Sequence, residues 1–126
     1  MVAGISLQME KKEIRPRIIV LEMTGSIRMG PDLQRIEQEL KHLLAGAPKL
    51  VIFDLSRVSS IDSAGVGQIV KCFSMLKGAG GSLRLAGVKG MLEGVFQITQ
   101  VNKVIGIYPT ALAAAEEQPA EGKGQS

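Results

Sequence analysis

The stretch Ser60-Ile61-Asp62-Ser63-Ala64-Gly65-Val66-Gly67 sets a carboxylate beside a hydroxyl and follows them with two glycines at alternate positions. If a helix starts near Asp62 or Ser63, either side chain can accept a hydrogen bond from the unpaired N–H groups of its first turn. The helix dipole also favours negative charge there. The same geometry suits a phosphate: carried on Ser63, it would meet the helix N-terminus and add about −1.5 to −2 charges beside Asp62. A surface that binds a partner while the hydroxyl is free would then repel it. Gly65 and Gly67 would let a partner approach the backbone closely or, equally, let the helix pack tightly on a sheet. Capping and phosphorylation both account for the Asp-Ser pair.

Other chemistries lack their parts. Ser63 has no Gly two residues before it, as the G-x-S-x-G elbow requires, and the single imidazole, His42, falls in a different helical segment, where it reads as a surface residue. One cysteine, one histidine and dispersed carboxylates give no ligand cluster, so no metal and no cofactor is expected. Cys72 excludes an internal disulfide and reads as a small core residue. Gly78-Ala79-Gly80-Gly81 lacks the Lys of a phosphate-binding loop and leads into a strand pattern, so it reads as a turn. The net charge of +3 comes from 15 basic and 12 acidic residues scattered along the chain, which gives a solvated surface rather than a nucleic-acid stripe. With 3% aromatic residues and no Trp, base-stacking platforms are scarce as well. No apolar run reaches the roughly 20 residues of a membrane helix. The N-terminal residues lack the h-region of a signal peptide, and a cytoplasmic location is expected.

The elements that must position Ser63 follow from apolar periodicity. The chain of 126 residues suffices for one domain with a real core. Ile5, Leu7 and Met9 alternate with polar neighbours, a charged turn is expected from Lys11 to Pro16, and residues 17–23 give a second strand that Thr24-Gly25 ends. Leu33, Ile36, Leu40, Leu43 and Leu44 recur at helical spacing after Pro31. The apolar run Leu50-Val51-Ile52-Phe53-Asp54-Leu55 suggests a central strand covered on both faces. Past the Asp-Ser pair, Val66, Ile69, Val70, Phe73 and Leu76 mark a second helix. A strand at Leu83 to Val88, a short helix at Met91 to Phe96, a strand at Val104 to Tyr108 and an Ala-rich helix capped by Thr110 complete the order. This β-β-α-β-α-β-α-β-α succession predicts an α/β fold: a mixed sheet with parallel central strands, covered mainly on one face by about four helices. The domain is expected to span residues 1–116, with residues 117–126 as a disordered tail. In such a sheet the loop leaving the carboxyl end of a central strand is the usual functional position, and the Asp-Ser pair occupies it.

With that order and Val51-Ile52-Phe53-Asp54-Leu55-Ser56-Arg57-Val58 running into Ile61-Asp62-Ser63-Ala64-Gly65-Val66-Gly67, the chain resembles the STAS domain family, and within it the bacterial anti-sigma factor antagonists. Gly80-Gly81-Ser82-Leu83-Arg84-Leu85-Ala86-Gly87-Val88 supports the likeness, which covers roughly Ile5 to Glu116. In that family the Ser directly after the Asp of a D-S-[ST]-G motif is phosphorylated by a partner that is both serine kinase and anti-sigma factor; the matching residue is Ser63. The resemblance implies a binder and kinase substrate rather than an enzyme. Unphosphorylated, it would hold the anti-sigma factor and free a sigma factor; phosphorylation would release it, and a phosphatase would reset the switch. Asp62, Ser63, Ala64, Gly65, Gly67 and Arg28 form the expected partner-binding set. The chain is expected to be a monomer or weak dimer that neither binds nucleic acid directly nor enters a membrane. Two positions depart from the family pattern: Ala64 replaces a second Ser or Thr, and Arg28 stands where many members carry an Asp, reversing a charge on the recognition rim. The alternative is a non-switching STAS scaffold or accessory subunit of a stress-signalling or transport complex, in which the Asp-Ser pair only caps the helix.

Overall fold

The computed structural model of the chain describes residues 7–116. Ile5 of the expected first strand and the expected tail at 117–126 lie outside the described residues. The elements run β1 (Leu7–Arg15), β2 (Ile18–Ile27), α1 (Pro31–Leu44), β3 (Leu50–Ile61), α2 (Ser63–Gly78), β4 (Ser82–Ala86), α3 (Met91–Ile98), a 3₁₀ turn at Val101–Lys103, β5 (Gly106–Tyr108) and α4 (Ala111–Glu116). The strands lie side by side in chain order, β1 antiparallel to β2 and the others parallel to their neighbours. When each parallel strand is added on the same side of its predecessor, right-handed crossovers must place all the connecting helices on one face. Accordingly Ile36 and Leu40 of α1, Ile69 and Leu76 of α2 and Phe96 of α3 share one apolar cluster with Val51, Phe53 and Leu55 of β3. The mixed sheet with a parallel centre, covered mainly on one face, is as the sequence pattern predicts.

Among the described residues the opposite face is covered by α4 alone, which sets Ala114 and Ala115 against Val20, Ile52 and Ala86. So short a helix has little apolar area to hold it, and its last carbonyls lack partners within the helix. Two arginines from the sheet supply them. Buried Arg84 donates from Nη1 to the Ala114 carbonyl at 2.5 Å and lies 5.2 Å from the Tyr108 ring, while Arg15 donates to the Ala115 carbonyl at 3.3 Å and pairs with Glu116 at 2.7 Å. At the other end the Thr110 hydroxyl accepts from the Ala113 N–H at 3.0 Å, as its capping position predicts.

Several details differ from the sequence pattern. Lys11 to Arg15, expected as part of a charged turn, form the second half of β1, leaving only Pro16 and Arg17 between the strands. An edge strand tolerates such charges because one flank and much of its surface are wet, and Lys12 pairs with Glu22 on β2 at 3.2 Å. β2 also passes through Gly25 to Ile27, absorbing the irregularity as register slips against β3 between Glu22 and Thr24 and between Gly25 and Ser26. That extension gives β3 a partner as far as Ile61, six residues beyond the apolar run. On α2, Cys72 rather than Val70 completes the buried stripe. Val104, 59% exposed, precedes β5 rather than opening it. Among the described residues no helix is long and apolar enough to cross a membrane.

Candidate functional site

Pairing of Ser26 with Ser60 and of Ile27 with Ile61 makes β2 and β3 finish together, so the loop at 28–30 lies against the turn that starts α2. Asp62 joins the two. It is the N-cap of α2, with extended backbone (φ −110°, ψ −178°), and its Oδ1 accepts from the Gly65 N–H at 2.9 Å. Its Oδ2 accepts from the Met29 N–H at 2.9 Å, and its own N–H donates to the Ile27 carbonyl at 3.2 Å. One carboxylate thus satisfies an orphan helix donor and staples the neighbouring loop. The Met29 N–H first, then the Gly65 N–H and the charge of Arg28, hold the Asp62 carboxyl below the usual carboxylate range. Asp62 therefore stays ionised at neutral pH.

With the cap provided by Asp62, Ser63 is left as the first helical residue, exposed, and its hydroxyl makes no hydrogen bond among the described residues. Ala64 beside it is half-buried, so Ser63 carries the single hydroxyl of the first turn. Arg28 is exposed at the rim: its Nε donates to the Ser60 hydroxyl at 3.1 Å, which donates to the Ser26 hydroxyl at 3.0 Å. The remaining guanidinium nitrogens of Arg28 make no hydrogen bond or ion pair among the described residues.

The two glycines have different surroundings. Gly65 is buried with its Cα against β2; a methyl group there would collide with the Ile27 carbonyl oxygen and lie 2.8 Å from Ile61 Cγ1 and 2.9 Å from Ile27 Cγ2. Its role is close packing of helix on sheet. Gly67 is exposed, with no atom within 4 Å of where a methyl group would sit, so nothing in the fold accounts for the missing side chain. Ser63, Gly67, Val70 and Ser74 succeed one another at intervals of four, three and four, forming an outward row on α2. Val70 is 38% exposed, and Met29, on the loop stapled by Asp62, is 77% exposed. These two apolar residues are absent from the set read from the sequence. Spacing from Ser63 places Val70 two turns along the same face and could have found it; the exposure of Met29 depends on a loop path that no local signal encodes.

No competing chemistry assembles nearby. Among the described residues there is no group of His, Cys, Asp and Glu able to hold a metal ion, and His42 is exposed on α1. Burial pushes the Cys72 thiol up to about 11, which keeps it protonated and unreactive.

The chain and its fold have counterparts. The family model described as the STAS domain matches residues 10–114. A candidate anti-sigma factor antagonist of Thermotoga neapolitana is 34% identical over 67 residues, which is 53% of this chain and 59% of that relative. The chain thus matches less than two thirds of that relative's length. Among solved structures, an anti-sigma factor antagonist from Mycobacterium paratuberculosis is similar at a TM-score of 0.77 and 22% identity, over 93% of this chain and all of that one. The phosphorylated form of the Bacillus cell fate determinant SpoIIAA is similar at a TM-score of 0.66 and 18% identity, over 86% of this chain and 97% of that one. At these identities the structural likeness carries the fold alone.

Proposed function

The chain belongs to the STAS domain family, and from that premise we propose that it is an anti-sigma factor antagonist that works by partner switching at Ser63. In the unmodified state the row Ser63, Gly67 and Val70, with Met29 beside it, presents a low, uncharged surface to an anti-sigma factor that is also a serine kinase. The missing side chain at Gly67 lets that partner approach the α2 backbone, and Arg28 adds a positive charge to the rim. The kinase transfers the γ-phosphoryl group of ATP to Ser63 Oγ: an O–P bond forms there, the bond to ADP breaks, and the hydroxyl proton goes to a base on the kinase. The product carries about two new negative charges on the contact surface, next to ionised Asp62, and the complex separates. A phosphatase restores the hydroxyl. The protein contributes no catalytic group; it is the binder and the substrate.

The observation that carries this reading is the division of labour between neighbours. Asp62 does the capping, so the exposed Ser63 hydroxyl has no structural task in the fold. The test is mass spectrometry of the tryptic peptide Val58–Lys71 from protein recovered from its native cells in growth and in stress. Phosphate on Ser63 with an occupancy that changes between conditions is expected. A peptide unmodified under every condition would favour the non-switching scaffold.

A further inference from the structure

Arg28 sits at the mouth of the site with only part of its guanidinium in use. Nε is spent on the Ser60 hydroxyl, and that hydroxyl is itself fixed by Ser26, so the base of the group is held against the ends of β2 and β3. The Nη atoms are free of partners among the described residues. The next residue, Met29, is bonded through its N–H to Asp62, which directly precedes Ser63. Arg28 is also the charged side chain whose field acts on Asp62. A phosphate added to Ser63 would enter a setting that already holds one carboxylate, so it needs a counter-charge. A guanidinium with a free nitrogen fork matches phosphate oxygens in geometry as well as charge.

We propose that Arg28 is the intramolecular receptor for the phosphate of phosphorylated Ser63, pairing through its Nη atoms and so adding a second tie to the one by which Asp62 already holds the loop at 28–30 against the N-terminus of α2. The proposal rests on the reading of Ser63 as the phosphoacceptor and adds how the phosphorylated state is held. Release of the partner then has two parts: new negative charge on the row, and withdrawal of the Arg28 charge from the rim into an internal pair. With an acidic residue at position 28 the second part would be missing.

The test needs no kinase and so is independent of whether phosphorylation occurs in cells. Full-length protein is made with phosphoserine inserted at position 63 during translation, in the native sequence and in Arg28→Gln and Arg28→Lys backgrounds. The second ionisation of the phosphate is followed by phosphorus NMR at low and high salt. Pairing predicts a lower phosphate pKa with Arg28 than with Gln, a Lys variant in between, and a difference that shrinks with salt. Phosphorylation should also raise the melting temperature more with Arg28 present than with Gln. Arg28 is exposed, so both variants should fold, and their unphosphorylated forms supply the baseline. Identical phosphate titrations in the native and Gln backgrounds would overturn the proposal. A clear Arg28 effect alongside an unmodified Ser63 in cells would instead overturn the switching function while leaving the pairing intact.

Discussion

The inward and outward sides of the first two turns of α2 are built to different requirements. Inward, Gly65 meets the Ile27 carbonyl so closely that no side chain fits, and Asp62 closes the turn with two backbone hydrogen bonds. Outward, Ser63 is exposed with no hydrogen bond to its hydroxyl among the described residues, and Gly67 has open space where a side chain would sit. Two glycines two residues apart thus answer to different constraints, one from the fold and one, in our reading, from a partner. Substitution can separate them, because inward changes should act on stability and outward changes on binding.

The largest stability effect is expected at Gly65. Gly65→Ala forces the helix off the sheet and should cost about 3 kcal/mol, near the upper end for over-packing, as measured by urea unfolding. A loss below about 0.5 kcal/mol would mean that the helix shifts freely, and the contrast between the two sides would fail.

Asp62→Ala comes next, at about 1–2 kcal/mol, since it removes an N-cap together with the staple to Met29. Its pH dependence has a definite sign. The folded-state pKa is depressed below the unfolded value of about 3.9, so the contribution is complete above that pH and is lost as pH falls through the lower folded value. The stabilities of the native protein and Asp62→Asn should therefore differ at pH 7, and the gap should narrow as pH falls below the unfolded value. A gap that widens in acid would contradict the assignment.

Gly67→Ala reverses the sign. With open space at the site and better helix propensity, it should stabilise the protein by about 0.5–1 kcal/mol. If Gly67 keeps the docking surface low, the same variant should bind the anti-sigma factor at least about tenfold more weakly. Undiminished binding would leave Gly67 without a role. The smallest stability change is expected for Ser63→Asp, within about 0.5 kcal/mol, because the residue is exposed at a helix N-terminus that accepts negative charge. That variant should nonetheless fail to hold the partner.

The sequence pattern carried the element order because each apolar run has the period of one element, as Leu50 to Leu55 and the α1 stripe illustrate. Boundaries were less legible where neighbours rather than composition decide them. Lys11 to Arg15 resemble a turn locally, yet β2 supplies a hydrogen-bonding partner that makes them strand; Ser59-Ser60 likewise extend β3 because β2 continues beside them. At the site, the Asp-Ser pair and its helix were legible, but which of the two residues caps depends on the exact helix start. The two glycines looked equivalent because the helix phase relative to Ile27, a tertiary fact, is what separates them. Val70 was assigned to the core by periodicity, although Cys72 takes that place. Arg28 could be flagged from its departure from the family pattern, while its anchoring on Ser60 required the paired ends of β2 and β3.

The central claim is that one phosphate on Ser63 decides whether the outward side of α2 is occupied. Calorimetric titration of the unmodified protein and of protein carrying phosphoserine at position 63 against the anti-sigma factor kinase tests it most directly. The account predicts tight binding for the first and an affinity at least about a hundredfold lower for the second, a difference of about 2.7 kcal/mol. Equal affinities for the two forms would contradict it.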